Sequence, residues 1–308
     1  MNEPILRVMT LNIGSLMDPG WAERRPEVVS WIDHVDPDIV CLQEVHESAS
    51  MPNVAKTVAA DASGGWHVAW GGAKISQFLQ SDDTVRLGSA VLSRWPIEHQ
   101  ATHLLPIDES ALTPEDPMPS LIPWELVYAR TAGLDVFSTH LAPAPSHGLH
   151  RQIQTGAIDQ IVREARDGRD DFDWPNPRVP MPAILCGDFN AEPESDEIRF
   201  LRGACAFDGR TTFWQDAWRV AGDEGPGYTQ DWRTHPLAAR LNVHRKRIDY
   251  VFVGDPFLRA GDAGRVLSAA VVCDEPRTGV QASDHLGVVA EILWPARRDL
   301  PGSLPLAL

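Results

Sequence analysis

Residues 38–44 read Asp38-Ile39-Val40-Cys41-Leu42-Gln43-Glu44, a short apolar run that closes on a carboxylate. A strand with one wet face alternates apolar and polar residues, whereas one covered on both faces is nearly continuous in apolar residues. The run is short, rich in β-branched residues and preceded by the turn formers Pro37-Asp38, so it reads as a buried strand. Similar runs recur at Ile5–Ile13, Gly65–Trp70, Ser89–Ser93, Leu126–Arg130, Leu134–His140, Ala183–Cys186, Ile248–Val253, Leu267–Cys273 and Gly287–Leu293. Helical spacing marks Glu23–Val35, and more clearly Arg151–Glu164, with Ile153, Ala157, Ile158 and Ile161 on one face. Ser195–Arg202, after Pro193, reads as a helix with Ser195 as its N-cap. Many buried strands interleaved with few helices imply two packed sheets flanked by helices.

The chain has 308 residues, 43% hydrophobic and 23% charged, which is globular composition. It contains no apolar stretch long enough for a membrane span. Met1-Asn2-Glu3-Pro4 lacks the basic and apolar regions of a secretory signal, so a cytoplasmic location is expected. Cysteines at 41, 186, 205 and 273 form no Cys-x-x-Cys pair; Cys41 and Cys186 sit in strand-like runs and read as reduced core residues. A net charge of −16 repels polyanions at long range, which disfavours nucleic acid as partner. The stretch Asp167–Pro182 reads as a surface loop, since strand-like sequence resumes directly after it. Three other connections, Gly71–Arg86, Pro106–Pro123 and Val220–Arg247, are long, and long connections in compact domains tend to be functional or disordered.

Oxygen- and imidazole-bearing residues recur at the ends of the strand-like runs. The first ends in Thr10-Leu11-Asn12, the second in Gln43-Glu44, others in Ser138-Thr139-His140 and Gly187-Asp188-Phe189-Asn190, and two more groups are Arg247-Ile248-Asp249-Tyr250 and Ser283-Asp284-His285. Singly, such an Asn or Asp is more often a turn former than a ligand. Their joint order is what carries the signal. With Leu92-Ser93-Arg94-Trp95-Pro96-Ile97, these pieces make the chain resemble the endonuclease/exonuclease/phosphatase superfamily from residue 9 to 285. The resemblance implies an α/β fold, a four-layered sandwich of two packed mixed β-sheets flanked by helices, with residues 1–308 as a single catalytic domain.

It also implies a metal-dependent phosphoric ester hydrolase using Mg²⁺, with Mn²⁺ as the alternative ion. Glu44 is expected to hold the metal, with Asn12 adding an oxygen or orienting the ion, and Asp284 joining directly or through water. Hard cations take oxygen ligands, which suits this set. The resemblance gives activation of the attacking water to Asp188 and phosphate contact to Asn190. His285 is expected on a phosphate oxygen or the water, with Asp249 on its other nitrogen to fix its tautomer. The general base stays open between Asp188 and the Asp249–His285 pair. His140 is a further phosphate contact. In the deoxyribonuclease branch an acidic residue follows Ser-Arg and partners the histidine matched by His140; here that position is Trp95, so His140 must find another partner.

The cluster His140, His147 and His150 suggests zinc only weakly, because oxygen donors dominate the set; His147 and His150 are expected to line the pocket or face water. The basic run His244-Arg245-Lys246-Arg247 is either a solvated loop or a phosphate-facing rim, and Arg247 is its candidate substrate contact. Trp124 and Trp232, in the long connections, are candidates for stacking on substrate. Trp66, Trp70 and Trp95 read as core. The inositol-polyphosphate phosphatase blocks are missing, and Gly227–Arg233 echoes the abasic-endonuclease block only loosely. The leading expectation is hydrolysis of a phosphodiester or phosphomonoester in a small or medium-sized metabolite, a nucleotide or lipid head group. The alternatives are a DNA or RNA nuclease, and a binding module that has lost its chemistry. Oligomeric state is not readable from the sequence.

Overall fold

A computed structural model describes residues 4–79, 82–166, 181–233, 239, 244–255 and 259–299. Strand β1 (Ile5–Asn12) lies parallel to β2 (Ile39–Glu47), and this pair sits inside a seven-stranded sheet. Around them run, antiparallel, β3 (His67–Trp70), β4 (Ala73–Lys74), β5 (Arg86–Ser93), β12 (Val266–Val272) and β13 (Gly287–Leu293), in the order β12-β13-β1-β2-β5-β3 with β4 on β5. The second sheet has six strands in the order β10-β11-β9-β8-β7-β6. These are β6 (Ile97–Leu104), β7 (Glu125–Thr131), β8 (Leu134–His140), β9 (Ile184–Asp188), β10 (Trp214–Asp216) and β11 (Asp249–Gly254). Here β8 and β9 form the parallel pair and the other pairings are antiparallel.

The continuous apolar runs are explained by burial on both faces. Val8, Cys41 and Val91 of the first sheet meet Val136, Cys186 and Val251 of the second in one core between the sheets. Their strand neighbours Met9, Leu11, Val40 and Leu42 point the other way, onto Val28 and Ile32 of α1 (Trp21–Val35) and Val58 of α2 (Val54–Asp61). The outer face of the second sheet, with Tyr128, Phe137, Leu185 and Phe252, packs on Ile158 and Val162 of α5 (Gly148–Ala165) and Ile198 and Phe200 of α6 (Asp196–Leu201). Helix, sheet, sheet, helix is the expected four-layered sandwich. The remaining helices are short: α3 (Ser76–Leu79), α4 (Met118–Leu121) and α7 (Ala217–Ala221).

The expected strands at 134–140 and 287–293 have the observed bounds; the others differ at their ends, most at β2, which runs on through a bulge between Leu42 and Val45. The sequence reading missed β6, whose Ile97-Glu98-His99-Gln100 start is polar and exposed because it is an edge strand. It also missed the short β4, β10 and α2. Ser195 is the N-cap of α6, although its side chain makes no capping hydrogen bond. Cys41 and Cys186 are buried free thiols, as expected. The expected loop Asp167–Pro182 lies outside the described residues up to 180. No helix among the described residues is long and apolar enough to cross a membrane.

Candidate active site

The topology dictates where the polar strand ends meet. β1 and β2 are parallel, so Asn12 and Glu44 lie at the same edge of the first sheet; β13 is antiparallel to β1, so the residues just before it, Asp284 and His285, reach that edge too. In the second sheet β8 and β9 end together, pairing His140 with Asp188, and antiparallel β11 starts opposite them, pairing Asp249 with Asp188. One rim of the sandwich therefore collects residues 12, 44, 140, 188, 249 and 285. Two of the site residues have left-handed backbones: Glu44 at φ 54°, in the β2 bulge, and Asn190 at φ 49°. Such conformations cost non-glycine residues energy and concentrate at functional sites.

Asp188 is the hub. Its Oδ2 accepts from Asn12 Nδ2 at 3.0 Å and lies 3.5 Å from His140 Nε2 and 3.7 Å from His285 Nε2. Its Oδ1 accepts the Asn190 backbone N–H at 2.9 Å, which pins the carboxylate plane. Asn190 donates its amide to the Leu141 carbonyl at 3.0 Å. His285 Nδ1 bonds Asp249 Oδ2 at 2.9 Å with both side chains almost completely buried. Burial by itself would lower the His285 pKa; the carboxylates of Asp249, Asp188 and Asp284 outweigh it and hold the imidazole well above its ordinary value. Burial in turn pushes Asp249 up to about 6, against the pull of His285. The partner that His140 was expected to need is Asp188, and its ring also meets Trp124 edge-on at 5.6 Å. Trp95, in place of an acid, packs on Trp294 instead.

The metal expectation can be tested on the oxygens. Glu44 Oε1 accepts from Asn12 Nδ2 at 3.1 Å, while its buried Oε2 has no hydrogen-bond partner among the described residues. A buried carboxylate oxygen left unpaired is costly, and a hard cation would satisfy it. Burial raises the Glu44 pKa, with Asp284 adding to the rise. Asp18, which accepts the Asp284 backbone N–H at 3.1 Å, is pushed up to about 7 by burial and by Asp284. Three carboxyls thus crowd one place, as a site for a divalent ion requires. Asn12 Oδ1 accepts the Gly14 N–H at 3.1 Å, and its Nδ2 faces the carboxylates of Glu44 and Asp188. Asp188, Asp249 and His285 also offer ligand atoms within 4.8 Å of one another. His285 Nδ1 is already committed to Asp249 in that group.

Three expectations are corrected. Arg247 does not reach the site: it is buried and forms a fork to Asp216, Nη1 and Nη2 each at 2.8 Å, with its guanidinium over the Tyr250 ring. Trp232 is 48% exposed and does not line the cavity beside the site. His147 and His150 neither line the cavity nor face water: both are buried, His147 Nε2 bonds Asp116 at 3.0 Å, and His150 Nδ1 accepts the Asp108 N–H. Trp124 does line the cavity, but it is 4% exposed and donates to the Pro119 carbonyl, so it is a wall rather than a free stacking platform. Lys246, from the basic run read as a solvated loop or a phosphate-facing rim, does line the cavity. Not singled out were Asp18, Gln230 and Glu125, and Arg24, whose buried guanidinium bonds the carbonyls of Ile13, Gly14 and Ala282 and so ties the Asn12 loop to the Asp284 loop. Of these, Gln230 alone lies in one of the long connections.

That cavity has a volume of about 280 Å³. At one end stand Glu44, His140, Asp188, Asn190 and His285; the long connections supply Phe78, Met118, Ile122, Gln230 and Lys246 around the rest.

The Endonuclease/Exonuclease/phosphatase family model matches residues 9–285. The protein named Protein angel homolog 1 is 25% identical in Rattus norvegicus over 209 residues, which is 66% of this chain and 29% of that protein; this chain therefore matches under a third of the relative's length. Among solved structures, truncated Caenorhabditis elegans TDP2 superposes with a TM-score of 0.63 at 20% identity, covering 94% of this chain and 98% of that one. The human Nocturnin catalytic domain with bound sulfate gives 0.61 at 20% identity over 94% and 93%. The endonuclease/exonuclease/phosphatase protein from Beutenbergia cavernae DSM 12333 gives 0.61 at 24% over 94% and 71%.

Proposed function

The chain belongs to the Endonuclease/Exonuclease/phosphatase family, and from that premise we propose that it is a divalent-metal-dependent phosphoesterase acting on a small or medium-sized organic phosphate ester. The carrying observation is Asp188 Oδ2, which lies among Asn12, His140 and His285 and shares the Asn12 amide with Glu44, whose Oε2 is unpaired. When bound at Glu44 and Asp284, the ion supplies positive charge for the phosphoryl and leaving oxygens.

Asp188 is the base. A water oxygen attacks phosphorus, its proton passes to Asp188 Oδ2, and the bond from phosphorus to the leaving oxygen breaks. His285 is unsuited to that role, because its neighbouring carboxylates keep it protonated. As an imidazolium it donates from Nε2 to the charge that builds on the non-bridging oxygens, while Asp249 fixes its orientation. Asn190 has one amide N–H on Leu141 and the second left for the phosphate. His140, whose Nε2 lies 3.5 Å from Asp188 Oδ2, is a further donor. Lys246 lines the cavity and is suited to the substrate's remaining negative charge.

Substrate size follows from the cavity and the charge. About 280 Å³ lies at the low end of ligand sites and accommodates one small organic group. A net charge of −16 opposes a polyanion, and Arg247 is unavailable to phosphate. Danio rerio TDP2, a similar fold, is known in complex with single-strand DNA product, which makes a nuclease the second reading. The test compares bis-p-nitrophenyl phosphate, p-nitrophenyl phosphate, single-stranded DNA and supercoiled plasmid with Mg²⁺ or EDTA. Metal-dependent turnover of the small esters well above that of DNA is expected. Efficient cleavage of DNA with little turnover of the esters would transfer the reading to a nuclease, and silence on all four would oppose hydrolysis.

A further inference from the structure

Beyond the reacting end, the cavity continues between β5 and the connection that carries α4. Its walls there are Phe78, Leu87, Met118, Ile122 and the Trp124 ring, with Gly88 forming the floor. One ionisable group interrupts this apolar surface. Glu125, the first residue of β7, lines the cavity with its side chain 5% exposed as a residue. Its Oε2 is sealed against Gly88, where a Cβ would stand only 2.7 Å away, and has no hydrogen-bond partner among the described residues. The carboxyl's other oxygen is the one left for a ligand in the cavity. Arg86, the nearest cation acting on it, spends its guanidinium on the Gly72 carbonyl and the Trp70 ring.

A carboxyl kept in an apolar wall without a partner is expensive in the empty protein, and a bound hydrogen-bond donor would return that cost. Burial also pushes the group up to about 7, against the weaker pull of Arg86, so it accepts readily and tolerates either protonation state near neutrality. The carboxyl takes no part in the chemistry assigned to Asp188 and His285.

We infer that Glu125 is a specificity-determining residue: the cavity selects phosphate esters whose organic group is flat or apolar and carries one hydroxyl or N–H donor, which Glu125 accepts. The assignment rests on the phosphoesterase reading for the phosphate end but makes its own demand on the organic end. Apolar walls exclude water from the contact, so the discrimination against an analogue lacking the donor is larger than at an open surface.

The test uses non-hydrolysable ligands, so that it does not depend on turnover. Benzylphosphonate, 3-(hydroxymethyl)benzylphosphonate and 3-(aminomethyl)benzylphosphonate are titrated calorimetrically with Mg²⁺ into the parent, Glu125→Gln and Glu125→Leu, each checked for folding by its melting temperature. The parent is expected to bind the two donor-bearing ligands roughly tenfold more tightly than benzylphosphonate, the ratio of one buried hydrogen bond. Glu125→Gln, which keeps an accepting oxygen, retains part of that ratio; Glu125→Leu abolishes it and strengthens benzylphosphonate. The hydroxymethyl and aminomethyl ligands separate a neutral donor from a cationic one. Equal binding of all three by the parent, no binding of any, or an unchanged ratio in Glu125→Leu overturns the assignment. Parallel turnover of bis-p-nitrophenyl phosphate shows separately whether the phosphoesterase reading stands: hydrolysis without ligand discrimination removes the role of Glu125 alone.

Discussion

Replacing Asp249 by asparagine removes a charge from His285 while keeping the side chain's size. The contact is 2.9 Å from Asp249 Oδ2 to His285 Nδ1, and the two side chains are 0% and 7% exposed, so solvent screens it little. Attraction between unit charges about 4 Å apart is about 4 kcal/mol at an effective dielectric of about 20, so its loss lowers the His285 pKa. With that contribution gone, burial, which already opposes the charge, pulls His285 down from its raised position toward or below the ordinary value of 6.5. On the proposed mechanism activity requires the imidazolium, so it is present below the His285 pKa and lost as pH rises through it. In the parent that alkaline limb lies well above the ordinary imidazole range; in Asp249→Asn it moves down toward that range. At pH 8 most variant molecules then lack the required proton, and kcat/KM falls by on the order of tenfold or more, with much less loss near pH 5.5. The assay is bis-p-nitrophenyl phosphate hydrolysis with saturating Mg²⁺ from pH 5 to 10, on variant protein whose melting temperature has been checked. An alkaline limb at the parent's pH, or a loss equal at every pH, would refute the imidazolium role.

Arg247→Ala should destabilise the fold by about 3–5 kcal/mol in urea unfolding, because it strands the buried Asp216 carboxylate, and KM per folded molecule should not change; a raised KM with intact stability would return Arg247 to the substrate. Lys246→Ala should raise KM for a phosphate ester roughly tenfold while leaving kcat within a few-fold, and an unchanged KM would remove it from the phosphate. Mg²⁺ should raise the melting temperature more at pH 8 than at pH 5. The sign follows from Asp18, held at about 7 against an ordinary 3.8, and from Glu44, also raised. Groups raised in the folded state favour folding below about pH 4 and lose that contribution as pH rises through about 7, and a cation offsets the repulsion only once the carboxyls are ionised. At a hundredfold excess over Kd the gain is about 2.7 kcal/mol; equal increments at both pH values would place the ion elsewhere.

The layers and the rim were legible because both depend on local sequence. Val8, Met9, Val40 and Cys41 read as apolar without alternation since sheet partners cover one face and helices the other. Asn12, Glu44, His140, Asp188, Asn190, Asp249 and His285 close or open those strands, and parallel pairing brings them to one edge. What escaped the sequence depends on partners distant along the chain. Arg247 reads as an exposed cation until Asp216, 31 residues earlier, is placed beside it on the neighbouring strand. The edge strand β6 was missed because its exposed face carries Glu98, His99 and Gln100. Glu125 looked like any acidic residue at the start of a strand, and only the unpaired oxygen over Gly88 distinguishes it.

The role of Asp188 is tested most directly by Asp188→Asn, which preserves shape and the hydrogen bond from the Asn190 N–H while removing the base. With Mg²⁺ and bis-p-nitrophenyl phosphate, the parent should turn over in an EDTA-sensitive manner, and the variant, folded and of similar melting temperature, should be slower by a factor on the order of 10³. A variant retaining activity within tenfold of the parent, or a parent indifferent to EDTA, would contradict the account.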